Sequence, residues 1–132
     1  MCYRQRNLDC HFNGLNVVEV FQYILRDDTC PFEEWYNNQN SVTLAKISRY
    51  VARIEEGNFS NAKAVSGSVS EIKIDFGPGY RIYFGNDGGE IVILLIGGTK
   101  KRQQNDIAKA KLYWEDYKLR KKENGHGAYK KL

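Results

Sequence analysis

The clearest hydrophobic pattern lies in the second half of the chain, where three short segments have the character of consecutive β-strands. Residues 69–76 and 80–84 alternate apolar and polar side chains, whereas residues 91–96 are apolar throughout. Alternation with a period of two is typical of a strand with one buried face, and a strand that is apolar on both faces belongs in the interior of a sheet. We therefore predict two successive hairpins in which residues 91–96 form a central strand.

Two further elements are predicted before this sheet. Residues 17–25 are rich in β-branched and aromatic side chains, which favours a first strand, with a short helix as the competing interpretation. Pro31 then suits the first turn of a helix, and Glu33 and Glu34 suit the positive end of its dipole. We expect this helix to continue through Trp35 and Tyr36.

A second helix is indicated by apolar residues that recur at steps of three and four. Leu44, Ile47, Val51 and Ile54 share one helical face, and Gly57 provides a C-terminal stop. Because the connection between the two helices is short, we predict that they form an antiparallel hairpin that covers one side of the sheet.

The last predicted helix spans residues 103–122 and carries one apolar stripe among many basic residues. The stripe consists of Ile107, Ala110, Trp114 and Tyr117. A stripe of this spacing faces a core. We expect it to cover the second side of the central strand.

The turn at residues 77–79 determines which side chains of the first hairpin share a face. If Phe76 and Tyr80 face each other across it, the apolar side chains of both strands point to the core. Lys73 then lies opposite Tyr83, and Asp75 lies opposite Arg81. The sequence thus predicts a polar patch on the non-core face of the hairpin, which also carries Glu71.

Length and composition favour one domain. The chain has 132 residues, of which 42% are hydrophobic, enough for a single core. We divide it into an N-terminal extension of residues 1–14, which we expect to be disordered or loosely attached, an α+β domain of residues 15–122, and a basic tail of residues 123–132.

Several classes of protein are disfavoured by the remaining composition. Cys2, Cys10 and Cys30 form no CxxC pair, and His11 and His126 lie far apart in sequence, so we expect no disulfide framework, no metal and no cofactor. No apolar run is long enough to span a bilayer, and no apolar stretch of a signal peptide follows the N-terminus. We therefore expect a cytoplasmic protein without membrane contact.

Charge is strongly segregated along the chain. Residues 1–98 hold nine Lys or Arg against twelve Asp or Glu, whereas residues 99–132 hold eleven against four. Such a basic segment is typical of proteins that bind a polyanion or an acidic partner, although a solvated helix face with a lysine-rich tail gives the same count.

Candidate chemistry lies where this basic segment meets the sheet. Lys100, Lys101 and Arg102 precede a helix, where like charge opposes the helix dipole and where a phosphate would relieve the conflict. The alternative is a set of solvated cations. Arg81 is a second candidate, and its alternative role is an exposed ion pair with Asp75.

Several motifs together resemble the RelE/ParE superfamily of type II toxins, in particular its phage-derived addiction module killer protein branch. They are Arg53, Ile54, Gly57 and Asn58; residues 69–74; residues 77–84; and Leu94, Leu95, Gly97, Gly98, Lys100, Gln103, Asp106, Ile107 and Ala110. The resemblance covers residues 17–117. It implies a two-helix hairpin, a curved antiparallel sheet and a C-terminal helix.

The resemblance also implies a function and partners. A RelE-type toxin is an mRNA interferase, a metal-independent endoribonuclease that cuts mRNA on the ribosome, and it is neutralised by a cognate antitoxin, here expected to carry a helix-turn-helix. Carried over by position, Lys73, Arg81 and Lys101 are the implied catalytic residues. Tyr83, Lys100 and Arg102 are the expected RNA-binding residues.

Two positions differ from the RelE pattern and leave alternatives open. Glu71 stands where RelE-type enzymes have a second lysine, and Ile107 stands where they have a tyrosine. ParE-type relatives inhibit DNA gyrase without a nuclease site, and fold alone does not separate the two activities. A gyrase inhibitor and an inactive RNA-binding relative are therefore the competing hypotheses.

Overall fold

The computed structural model describes residues 18–125 and 128–132, and within them six strands and three helices form one α+β unit. A short 3-10 turn, Lys100–Arg102, joins the strand that ends at Thr99 to the final helix. The elements in chain order are β1 Glu19–Tyr23, α1 Pro31–Asn37, α2 Ser41–Glu55, β2 Ala62–Ser66, β3 Val69–Ile74, β4 Tyr80–Asp87, β5 Ile91–Thr99, α3 Gln103–Asn124 and β6 Tyr129–Lys131.

The strands form one mixed sheet in the order β2-β3-β4-β5-β1-β6. β1 runs parallel to β5, and the other neighbouring pairs are antiparallel. The α+β class is confirmed, but the predicted curved antiparallel sheet is wrong. A parallel pair needs a crossover connection, and the long path from β1 through both helices and the hairpins to β5 supplies one.

The predicted two-helix hairpin is also wrong. α1 has only seven residues, starts at a proline, and packs against β5 and β1. Its Trp35 lies so close to Gly97 of β5 that a Cβ there would overlap the indole ring. Among the described residues, one side-chain hydrogen bond links α1 to α2, between the Tyr36 and Ser48 hydroxyls at 2.9 Å. The short helix is therefore fixed to the sheet rather than aligned along α2.

Both faces of the sheet are covered, which gives the domain two cores. α1 and α2 pack on one face around Phe32, Ile47, Ile82 and Leu94. α3 packs on the other through Ala110, Trp114 and Tyr117. The prediction that the last helix covers the second side of a central β5 is confirmed.

The register of the β3–β4 hairpin differs from the predicted one by two residues. Ile74 rather than Phe76 lies opposite Tyr80, so the connection comprises residues 75–79, and Lys73 lies opposite Arg81. The longer loop uses glycines with positive φ at Gly77 and Gly79. Because side chains alternate with a period of two, a shift of two residues leaves every side chain on its predicted face.

The sequence predicts domain boundaries at residues 15 and 122. The expected extension, residues 1–14, lies outside the described residues. α3 continues to Asn124, past the expected boundary at residue 122, and Tyr129–Lys131 of the expected basic tail pairs with β1. None of the helices within residues 18–125 and 128–132 has the length and apolar content needed to cross a membrane.

Candidate nucleic-acid interface

A buried ion pair lies between the β3–β4 hairpin and the start of α3. The Arg81 guanidinium donates to the Glu71 carboxylate at 2.7 Å, and these residues are 5% and 0% exposed. Gln103 donates to the second Glu71 oxygen at 3.0 Å. Both carboxylate oxygens thus have a donor, as a buried charge requires.

The prediction that Arg81 and Tyr83 lie in a polar patch on a non-core face is wrong. Their face is the one that α3 covers, and Tyr83 is fully buried. Burial, reinforced by the nearby Glu71 and Asp106 carboxylates, raises the pKa of the Tyr83 hydroxyl, which therefore stays protonated at neutral pH. Tyr83 is not positioned to contact RNA directly.

Asp106 belongs to the same buried cluster as Glu71, Arg81, Tyr83 and Gln103. Unlike the Glu71 carboxylate, its carboxyl group has an oxygen without a donor. It is 4% exposed, and a Cβ added to Gly98 of β5 would overlap its carboxyl group. Burial raises its pKa, while Arg102 and Lys109 act in the opposite direction. Its Oδ2, the Arg81 Nε and the Tyr83 hydroxyl have no hydrogen-bond partner among the described residues.

Exposed cations surround this buried cluster. We call Lys63, Lys73, Lys100, Lys101 and Arg102 the basic rim; all five are exposed. Lys73 on β3 pairs with Arg81 on β4, and Arg81 pairs with Gly98 on β5. Two strand spacings, or about 10 Å, therefore separate Lys73 from β5, the strand that leads to Lys100. Lys63 reaches Glu71 at 3.8 Å.

One backbone hydrogen bond fixes the Lys100–Arg102 part of the basic rim against the β3–β4 loop. The Lys100 N–H donates to the Gly79 carbonyl at 2.8 Å, which fixes the 3-10 turn against the β3–β4 loop. The predicted site residues Lys73, Lys100, Lys101 and Arg102 thus lie at the same end of the sheet as Arg81. Their exposed charges can bind the phosphates of a nucleic acid, since Arg81 already neutralises Glu71.

The sequence reasoning missed Gln103 and Asp106 as members of the site. Both precede Ala110 at helical spacing and extend the apolar stripe of α3 towards its N-terminus. Their position on that stripe was the signal that they face the sheet.

A protein of Haemophilus influenzae described as "Uncharacterized protein" is 40% identical to this chain over 92 residues, which are 69% of this chain and 93% of that protein. The chain belongs to its family. No protein-family model matches the chain, and no solved structure matches it. That description names no activity.

Proposed function

We propose that this protein is the toxin of a type II toxin–antitoxin module and that it acts in the cytoplasm as a ribosome-dependent mRNA endoribonuclease. The observation that supports this best is the gathering of the basic rim around Arg81 at one end of the sheet. The resemblance of the same hairpin and turn to RelE/ParE toxins gives the proposal its biological setting.

The basic rim suits RNA on electrostatic grounds. Its five cations are exposed, and Lys63 is the one that has a carboxylate within 4 Å among the described residues. Each cation that neutralises a phosphate releases a condensed counterion, so binding to RNA should weaken steeply as salt concentration rises. Lys73 on β3 and Lys101 after β5 lie on the two sides of Arg81, and we assign both to the phosphate at the cleaved bond.

The proposed reaction is attack of an RNA 2′-oxygen on the adjacent phosphorus. The bond from phosphorus to the 5′-oxygen breaks, which leaves a 2′,3′-cyclic phosphate and a 5′-hydroxyl. One proton leaves the 2′-oxygen and one is delivered to the 5′-oxygen. We assign Lys101 and Arg81 to the extra negative charge on phosphorus, and Lys73 to proton transfer or positioning.

Arg81 needs a change of partner for this role. Its guanidinium is bound to Glu71, and Gln103 binds the other oxygen of the same carboxylate. A phosphate must therefore compete with Glu71, or it must be bound through the unpartnered Arg81 Nε after the first turn of α3 moves.

The burial of Arg81 also favours a second candidate from another class. An arginine that is neutralised by Glu71 and closed off by α3 suits a protein that binds without cutting. Such a protein is either a gyrase inhibitor, whose interface would include the basic rim, or an inactive RNA-binding relative.

One experiment separates these candidates. The protein is induced without its antitoxin, mRNA 5′ ends are mapped on ribosomes, and purified protein is added to a gyrase supercoiling assay. Growth arrest with new 5′ ends supports the nuclease, and arrest with inhibited supercoiling and no new ends supports the gyrase inhibitor. Absence of arrest contradicts the toxin proposal, and salt-dependent RNA binding by the pure protein then identifies the RNA-binding relative.

Matched variants assign the activity to the rim. Lys73→Ala with Lys101→Ala removes two exposed charges and should reduce cleavage at least 100-fold with little change in thermal midpoint, as expected for electrostatic groups in a reaction site. Lys111→Ala with Lys131→Ala removes the same charge elsewhere and should leave cleavage unchanged. Equal loss in both variants would reduce the rim to a non-specific charge effect.

The cognate partner should cover the same surface. We propose a helix-turn-helix antitoxin encoded beside this protein, with an acidic or amphipathic segment that neutralises the basic rim. Addition of this antitoxin should abolish RNA binding by the wild-type protein.

A further inference from the structure

A cavity lies at the opposite end of α3 from the basic rim. It has a volume of about 510 Å3 and is bounded by the last turns of α3, the end of β4 and the turn before β3. Lys118 and Lys122 line it from the helix, and Ser68 and Asn86 line it from the sheet side. About 15 to 19 residues of helix, or roughly 25 Å, separate these lysines from the rim.

The one carboxylate among the residues that line the cavity is already neutralised. Asp87 accepts hydrogen bonds from the Tyr117 hydroxyl at 2.8 Å and from Lys121 at 2.7 Å. These bonds lower the pKa of Asp87 against the opposing effect of its burial. The charge left for a ligand therefore comes from the two lysines.

Both lysines are available. Lys122 is exposed and has no acidic partner among the described residues. Lys118 contacts Glu115 at 3.0 Å, but their side chains are 49% and 70% exposed, so water and salt weaken this pair and Lys118 can exchange it for a ligand.

The neutral groups of the cavity are also donors. The Asn86 side-chain oxygen accepts from the Gly89 N–H at 2.8 Å, which leaves its amide N–H2 group to donate. Trp114 lines the cavity and is 4% exposed, and its indole N–H has no hydrogen-bond partner among the described residues. This nitrogen is closed off from solvent, so Asn86 and Ser68 are the neutral donors that a ligand in the cavity can reach.

We propose that this cavity is a binding site for a phosphate group. Two lysines supply charge, whereas the Asn86 amide and the Ser68 hydroxyl supply neutral donors, and this combination recognises phosphate oxygens. The group belongs either to a nucleic-acid backbone or to a free phosphate compound. The site is separate from the basic rim, and it stands whether or not the protein cleaves RNA.

The two tryptophans of the chain allow a direct test with the whole protein. Trp114 lines the cavity, whereas Trp35 packs on Gly97 in the other core, so the indole N–H signals of a 15N-labelled sample report the site and an internal control. Addition of pyrophosphate should shift the Trp114 signal with saturation and leave the Trp35 signal in place. A Trp114 signal that does not move, or that moves without saturating together with Trp35, would overturn the proposal.

Variants and a second probe complete the test. Lys118→Gln with Lys122→Gln should weaken pyrophosphate binding at least tenfold, whereas the control Lys109→Gln with Lys131→Gln should retain wild-type affinity; equal weakening in both overturns the site. A single-stranded RNA of twelve nucleotides distinguishes the sources. RNA that gives the same Trp114 shift at tenfold lower concentration assigns the site to a nucleic-acid backbone, and tighter pyrophosphate binding assigns it to a free phosphate compound.

Discussion

Replacing Arg81 with alanine should destabilise the protein strongly, because it removes the closest partner of a buried charge. Glu71 is fully buried, and without Arg81 the side-chain partners it keeps among the described residues are Gln103 at 3.0 Å and the exposed Lys63 at 3.8 Å. Breaking a buried pair by removing one partner costs about 3–5 kcal/mol. For a domain of this size we expect the thermal midpoint to fall by roughly 10 °C or more.

A double-mutant cycle distinguishes this loss from simple loss of packing. The variants are Arg81→Met, Glu71→Leu and the two combined, and the free energy of unfolding is measured by urea denaturation at neutral pH. Each single change should cost about 3 kcal/mol or more, whereas the double variant should have wild-type stability or more, since an apolar pair of similar volume avoids the desolvation of both charges.

The opposite pattern would refute this reasoning. If Arg81→Ala costs less than about 1 kcal/mol, the guanidinium is not closed off from water as the ion-pair geometry requires. If the double variant loses the sum of the two single losses, Arg81 and Glu71 do not act on each other.

Three further predictions concern the surrounding structure. Gly98→Ala should lower the free energy of unfolding by about 1–3 kcal/mol in chemical denaturation, because its Cβ would overlap the Asp106 carboxyl. Adding Asp106→Ala to this variant should restore most of the lost stability, and no restoration would contradict the contact. Asn40→Ala should cost about 1 kcal/mol in the same assay, since its side chain accepts from the Thr43 N–H at the start of α2, and an unchanged midpoint would show that the cap is dispensable. Burial raises the pKa of Asp106 above 3.8, so the folded state retains a proton that the unfolded state releases, and stability falls as pH rises from 3.8 through the folded pKa. The thermal midpoint of Asp106→Asn should therefore rise relative to that of wild type as pH increases across this range. A constant difference between the two midpoints would contradict the raised pKa.

The local elements could be predicted from sequence because their signals are local. The apolar spacing of Ile47, Val51 and Ile54 indicates α2, and the continuous apolar run of residues 91–96 indicates a strand covered on both sides. β2 and β6 were not predicted, because these edge strands show no clear alternation of apolar and polar side chains. What makes them strands is pairing with β3 and β1, which depends on contacts distant in sequence.

The site was harder to predict than the elements, although the pleat assigned its side chains to the correct face. Glu and Arg are rarely buried unless they are paired, so Glu71 and Arg81 on one face suggest an exposed patch. The same sequence also predicted a helix over the second side of β5. That helix extends over β3 and β4 as well, and its N-terminal residue Gln103 closes over the pair. A helix that covers one strand of a sheet also covers the neighbouring strands, and this cover buries the predicted patch.

The buried cluster under α3 is expensive for the fold, and this cost is an argument for function. Four buried side-chain nitrogen or oxygen atoms among the described residues have no hydrogen-bond partner, and three of them belong to Arg81, Tyr83 and Asp106. Each such group costs about 1–3 kcal/mol, and a buried ion pair is often no more stable than a well-packed apolar pair of similar volume. Polar groups that violate local stability in this way concentrate at functional sites. The Met–Leu double variant should therefore fold at least as stably as wild type and lose toxicity, whereas a fully toxic double variant would show that the cluster serves only the fold.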